Sequence, residues 1–222
     1  MPRVTGRSIN GHRGVKRMLK AGLTGGVGAG KSRILSWMEK TWGAGIIRTD
    51  EVAHQLMEPG EKAYIRVTKE LGTSFLDREG RIDRPALARL IFQDEQAKKT
   101  IDKITHPLVW ETVKQELLSA EEAKKYEVMV VESALFDEAS LTFLDEIWYV
   151  YTPEEIRIER LMESRGYSRE KCRSILANQR TDEEFRRLSH RVIVNDGNWE
   201  KTEREASAVY QAAQAERNAG VF

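Results

Sequence analysis

The stretch Gly25-Gly26-Val27-Gly28-Ala29-Gly30-Lys31-Ser32 decides how this chain is read. It fits the spacing G-x-x-x-x-G-K-[ST], with Gly25, Gly30, Lys31 and Ser32 at the fixed positions. Glycines let the backbone turn so tightly that successive N–H groups face one polyphosphate. A helix beginning at Lys31 adds the positive end of its dipole. In such a loop the Lys31 ammonium reaches the β and γ phosphates, and the Ser32 hydroxyl holds Mg²⁺. The flanks agree with this reading. Leu19-Lys20-Ala21-Gly22-Leu23 is a short, mostly apolar run suited to a buried strand. From Ser32 to Lys40, the residues Ile34, Leu35, Trp37 and Met38 give a helix one buried face. A glycine-rich turn in an ordinary loop lacks both neighbours.

Outward from this loop, strands and helices alternate. Gly45-Ile46-Ile47-Arg48 is a second strand, followed by a helical pattern from Glu51 to Met57 that Glu58-Pro59-Gly60 stops. A helix-rich stretch comes next, with helices at 62–71, from Pro85 to Phe92, at 95–104 and at 107–118. Pro107 suits a first helical position, where its missing N–H costs nothing. Glu127–Val131 and Glu146–Tyr151 are continuous apolar runs, as in a parallel sheet covered on both faces. Helices are expected from Pro153 to about Glu163 and from Arg169 to Asn178, then a charged run. Arg191–Val194 is the last strand, and Trp199–Glu216 a closing helix. The pattern predicts an α/β fold with a doubly wound, parallel, five-stranded sheet. The long gap between the second and third strands predicts a helical insertion carrying a substrate site. Trp110 lies within it, as core or as an interface residue.

Composition narrows the functions. The 222 residues suffice for one sizeable domain with insertions, and the net charge is only +1, so no large basic field invites nucleic acid. The charge is uneven: residues 1–20 hold six basic residues and no acid, leaving 30 basic and 35 acidic residues in the remainder. A basic head of this kind suits a nucleic-acid or membrane tail, but residues 1–17 are expected instead to be a disordered basic leader, or to follow from an early start codon with Met18 as the working start. No run approaches 18 apolar residues, so no membrane span is expected. The lone Cys172 cannot form an intramolecular disulfide, which points to a reducing, cytoplasmic setting. No Cys/His cluster suggests a zinc site.

Ligands of open α/β sheets bind at the carboxyl ends of the strands. Asp50 follows the second strand, and the expectation places its carboxylate one strand over from the loop, where it accepts the proton of an attacking hydroxyl. Its alternative role is to cap the next helix. Glu132 follows the third strand, and contacts a metal-bound water or substrate, or is satisfied by local backbone. Arg160, and after it Arg165, are expected on a mobile arm over the γ-phosphate. Most of the other arginines between 165 and 187 are expected to pair with Glu155, Glu159, Glu163, Glu183 or Glu184 at helical spacing. His106 is expected to be structural by its isolation.

Set in order, these pieces resemble the dephospho-coenzyme A kinase family from Leu19 to the final helix. The resemblance is carried by G-L-T-G-G-V-G-A-G-K-S (22–32), T-D-E-V-A-H-Q-L (49–56), E-P-G (58–60) and G-R-I-D-R-P-A-L (80–87). It continues through I-F (91–92), T-H-P-L-V (105–109), V-V-E-S-A-L-F-D (130–137) and R-V-I-V-N-D-G (191–197). It implies a P-loop kinase core (18–50, 126–155 and 188–222), a helical coenzyme A-binding insertion (51–125) and a small helical lid (156–187). It implies ATP, Mg²⁺, and phosphorylation of the ribose 3′-hydroxyl of dephospho-coenzyme A by a cytoplasmic monomer or weak homo-oligomer, with no nucleic-acid or membrane partner.

The implied catalytic residues are Asp50, Lys31, Arg160 and Arg165. The nucleotide site comprises Gly25, Gly26, Val27, Gly28, Ala29, Gly30, Lys31, Ser32, Arg33 and Asn195, with Ser32 on the metal. The acceptor site comprises Thr24, Asp50, Arg81, Arg84, His106 and Glu132. Four places depart from the family pattern. Arg48 stands where an acid is common, and Ser164-Arg165 where the lid has an arginine followed by Asp or Asn. Ser133-Ala134-Leu135-Phe136-Asp137 replaces a Pro-Leu-Leu-Phe-Glu, and Ser189-His190 a small-Asp pair. Two alternatives remain: a nucleoside or nucleotide kinase with the same loop, and a nucleotide-binding regulator without turnover.

Overall fold

A computed structural model of the protein describes residues 17–219, so the basic leader falls outside the described residues except for Arg17. The strands are β1 (Leu19–Thr24), β2 (Gly45–Arg48), β3 (Val128–Glu132), β4 (Glu146–Tyr151) and β5 (Arg191–Val194). They form one sheet in the order β2-β3-β1-β4-β5, and every neighbouring pair is parallel. Between β1 and β2 lies α1 (Lys31–Trp42). Between β2 and β3 lie α2 (Thr49–Leu56), α3 (Lys62–Leu71), α4 (Arg84–Gln93) and α5 (Glu95–Glu122). After β3 come α6 (Glu138–Leu141), then α7 (Glu154–Arg165), α8 (Arg169–Ala177) and α9 (Asp182–Leu188) between β4 and β5. The closing helix α10 spans Trp199–Asn218.

Alternation along the strands splits the core into two layers. Leu19, Ala21 and Leu23 of β1, with Val128, Val130, Trp148, Val150 and Ile193, pack on Ile34, Leu35 and Met38 of α1 and on α10. The opposite face, with Ile47, Met129, Val131 and Ile147, packs on α2 and α5. Both faces are covered, which is why the strands read as unbroken apolar runs. A third cluster, Val67, Phe75 and Ile101, belongs to the insertion. A fourth, Ile158, Leu161 and Cys172, belongs to α7 and α8. Trp110 is a core residue, 8% exposed, with its ring stacked on Phe136 at 5.8 Å.

Three expectations are corrected. The helices expected at 95–104 and 107–118 are one 28-residue helix, with Pro107 inside it. Pro107 removes one i→i−4 bond, but the buried face runs unbroken through Ile101, Thr105, Leu108, Val109, Val113 and Leu117 and holds both halves in line. The charged run after residue 178 contains α9, started by a capping box in which Thr181 and Glu184 satisfy each other's backbone N–H groups. The arginines do not pair broadly at helical spacing: Arg186–Asp182 does, but Arg169 bridges from α8 to Glu155 of α7.

Glu146, at the start of β4, is buried and bonded at once to Arg191 Nε (2.8 Å), Arg191 Nη2 (2.7 Å) and Trp148 Nε1 (2.7 Å). The hydrogen bonds to Glu146, and after them the one to Glu216, raise the Arg191 pKa. Glu146→Ala leaves a buried indole N–H and a partly buried guanidinium short of an acceptor. It is expected to lower unfolding free energy by about 2–4 kcal/mol, the lower end because Arg191 keeps Glu216. Urea unfolding of the variant checks this.

Candidate active site

The loop 25–30 leaves β1 at the centre of the sheet and ends at the first residue of α1. Gly30 caps that helix at φ 88°, a left-handed conformation open to glycine, and a Cβ there would run into the Asn195 amide. The first turn of α1 carries no acid and no side-chain cap. Its N–H groups and dipole are therefore left for an anion. Asn195, at the end of β5, is buried and donates to the Ala29 carbonyl at 2.7 Å, and Thr152 donates to the same oxygen at 3.0 Å. Asn195 thus supports the loop from behind.

The loop forms one wall of a cavity of about 860 Å³. Gly25 to Ser32 line it, with Arg48, Asp50, Glu132, Arg160, Arg165, Gln179 and Arg180 on the other sides. Lys31 folds back so that its Nζ donates to the Gly25 carbonyl at 2.8 Å and lies 3.8 Å from Glu132. Burial lowers its pKa, with Arg157 adding to the effect, while Glu132 and Asp50 oppose it. Glu132 also faces Arg48 at 3.7 Å. Burial raises its carboxyl above the usual range, and Lys31 and Arg48 hold the shift back. Arg160 points its guanidinium at the carbonyls of Gly28, Ala29 and Asn195, each at 3.4 Å. Burial, then the charge of Arg33, lowers its pKa. Cations thus outnumber acids around an open loop, which suits a polyanionic ligand.

Asp50 is corrected in two respects. It is not the helix cap: α2 begins at Thr49 with Arg48 as N-cap, and Asp50 sits exposed in the first turn. Nor is it one strand over. β3 lies between β2 and β1, so Glu132 occupies the adjacent strand end and Asp50 the next. Asp50 still lines the cavity, and its carboxylate takes no hydrogen bond from a described residue.

The expected acceptor residues are not all brought together. Arg81 and Arg84 line a second cavity of about 690 Å³ in the insertion, with His54 one turn along α2 from Asp50. Arg84 Nη1 approaches the His54 ring at 3.3 Å. Thr24 is buried, its hydroxyl sealed and unpartnered, and it lines neither cavity. His106 is exposed on α5, faces Asp102 at 3.9 Å and lines neither cavity. Arg33 stacks over Trp199 at 3.9 Å, outside the cavity wall. Sequence reasoning missed Arg48, Gln179 and Arg157. For Arg157 a signal existed: it lies three residues before Arg160, on the same helix face.

The order of the sheet, the loop and its lysine define a P-loop, nucleotide-binding phosphotransferase. The family model for dephospho-CoA kinase matches residues 19–201. The dephospho-CoA kinase of Moorella thermoacetica is 36% identical over 198 residues, 89% of this chain and 93% of that protein. The crystal structure of TT1252 from Thermus thermophilus superposes with TM-score 0.69 at 30% identity, covering 88% of this chain and 98% of that one. The dephospho-CoA kinase from Campylobacter jejuni shares the fold, with TM-score 0.58 at 23% identity over 87% of this chain and 96% of that one. The chain belongs to the dephospho-CoA kinase family.

Proposed function

We propose that this protein transfers the γ-phosphoryl group of ATP to the ribose 3′-hydroxyl of dephospho-coenzyme A, giving coenzyme A and ADP. The observation that carries the reading is one cavity walled by the phosphate loop, by Asp50 and Glu132, and by Arg160. The amides of residues 28–32 and the Lys31 ammonium grip the β and γ phosphates. Lys31 must leave the Gly25 carbonyl to do so, and the phosphates offset its burial. Arg160 neutralises charge on the phosphoryl group, with Arg165 beside it in the wall. Asp50 accepts the hydroxyl proton and orients the oxygen toward phosphorus. Ser32, in the cavity wall at the start of α1, would hold Mg²⁺ through its hydroxyl, the place that the loop spacing gives it. Bound there with the nucleotide, the ion would supply charge neutralisation for the transferred phosphoryl group.

The insertion 51–125 takes the body of the acceptor. The cavity beside Arg81 and Arg84 lies one turn of α2 beyond Asp50, with apolar Met57, Ile82, Leu87 and Ile91 among its walls. A pyrophosphate suits the arginines, and a long apolar arm suits the rest. Residues 156–187 act as a lid with their own small core of Ile158, Leu161 and Cys172. The setting is cytoplasmic, which fits Cys172 as a buried free thiol. ADP release is measured with dephospho-coenzyme A, nucleosides and nucleoside monophosphates as acceptors. Turnover with the first alone supports the proposal, and turnover with a nucleoside or its monophosphate overturns it. ATP binding without turnover on any acceptor favours a regulator.

A further inference from the structure

Unlike Lys31, Arg160, Arg165 and Arg180, Arg157 does not line the cavity. It lies on α7, behind the loop tip. Its Nε donates to the Val27 carbonyl at 2.8 Å, and its Nη2 donates to Gln179 Oε1 at 2.6 Å. The same Oε1 accepts the Val27 N–H at 3.0 Å. Both backbone polar groups of Val27 are therefore held by two side chains, one from α7 and one from just beyond α8. The Val27 side chain completes the attachment by packing on Ile158, Leu161 and Cys172, the core of those two helices.

The loop sequence is shaped to receive this bracket. Gly26 is not one of the two glycines that the phosphate-loop spacing fixes, and its φ lies outside the left-handed region. It is a glycine for a different reason: a Cβ there would coincide with the Arg157 guanidinium and lie 2.8 Å from Gln179 Oε1. A Cβ on Gly28 would meet the Arg157 backbone carbonyl at 2.9 Å. The half-buried guanidinium has no described carboxylate at ion-pair distance, and its burial lowers its pKa. A cation left with only neutral acceptors is a poor stabiliser of the fold. Its rigid fork, however, fixes two acceptors at once, which an ammonium cannot do.

We infer that Arg157, through Gln179 and Val27, is a positioning residue that sets the shape of the phosphate-loop tip and ties it to the lid. Nucleotide affinity depends on this bracket and acceptor affinity does not. The inference rests on the proposed function in one respect, that the loop binds the nucleotide.

The test uses the full chain, with MgATP binding followed by calorimetry in the absence of acceptor, and steady-state kinetics with each substrate varied. Arg157→Met is expected to weaken MgATP binding and raise KM for ATP about ten-fold, the loss of one charge-assisted hydrogen bond. KM for the acceptor stays within about two-fold. Arg157→Lys recovers part of the loss, since it keeps the charge and holds one acceptor rather than two. Arg157→Met combined with Gln179→Leu is no worse than the weaker single variant, because the two side chains act as one unit. Unchanged MgATP affinity in Arg157→Met overturns the inference, as does an equal rise in both KM values with a lowered melting temperature. If that variant fails to fold, Gly26→Ala leaves the lid core intact and carries the same expectation. Unchanged MgATP affinity there overturns the inference equally. Calorimetry needs no acceptor, so an error in the acceptor leaves this result standing. Wild-type protein that does not bind MgATP sinks both readings.

Discussion

Lys31→Ala is expected to lower kcat by at least about 10²-fold and to leave the fold intact. The magnitude follows from removing a preorganised cation from the charge that develops during phosphoryl transfer. Preservation of the fold follows from the state of Lys31 without nucleotide. Its ammonium is mostly buried, bonded to the Gly25 carbonyl and 3.8 Å from Glu132. Burial lowers its pKa below the usual 10.5. A lysine whose pKa falls on folding binds its proton less tightly in the native state than in the unfolded one. It therefore opposes folding at neutral pH, and that opposition fades as pH rises toward 10.5. Removing the ammonium lifts this penalty. The ligand-free variant should melt no lower than wild type at pH 7, and any advantage it has should shrink at alkaline pH. MgATP should no longer raise its melting temperature as it does for wild type. Near-wild-type turnover would remove Lys31 from the mechanism. A variant that is unfolded at pH 7 would show that the ammonium supports the loop.

This opposition between stability and function also explains what the sequence made legible. The phosphate loop is read from eight consecutive residues because its chemistry is local: glycines for the turn, then a lysine and a serine at the start of a helix. The strands are equally legible. β2, β4 and β5 match their apolar runs at both ends; in the inner strand β4, burial on both faces leaves no polar alternation to confuse the period. Strand order is another matter. Nothing in Gly45–Arg48 announces that β3 will be inserted between it and β1, and that insertion moves Asp50 one strand further from the loop. Pro107 misled because its local rule, a helix boundary, was overruled by apolar contacts on both sides of it. Helical spacing puts Arg157 beside Arg160, but what it does there is not legible, because its partners, Val27 and Gln179, lie 130 and 22 residues away. Pairings over such distances leave no periodic trace.

Asp50→Asn is expected to lower kcat by about 10²- to 10⁴-fold, the usual contribution of a positioned general base. Three carboxylates line the cavity; Glu51 faces Arg48 at 3.6 Å, and the surroundings of Glu132 and Asp50 assign those two different work. Glu132 lies between Lys31 at 3.8 Å and Arg48 at 3.7 Å, so its charge is committed to two cations. Asp50 takes no hydrogen bond from a described residue and caps no helix, so its lone pairs are available to an incoming hydroxyl. Asparagine keeps the shape and removes the proton acceptor. KM for ATP should change little, since the loop and Lys31 are untouched. Stability should fall by no more than about 0.3–1 kcal/mol, the value of an acid in the first turn of a helix. Glu132→Gln is the control, because it disturbs the setting of Lys31 and should raise KM for ATP. Single-turnover kinetics of both variants at saturating ATP separate the two roles. If Asp50→Asn turns over like wild type while Glu132→Gln loses the chemical step, the base is the carboxylate on the adjacent strand end and Asp50 serves only to shape the entrance for the acceptor.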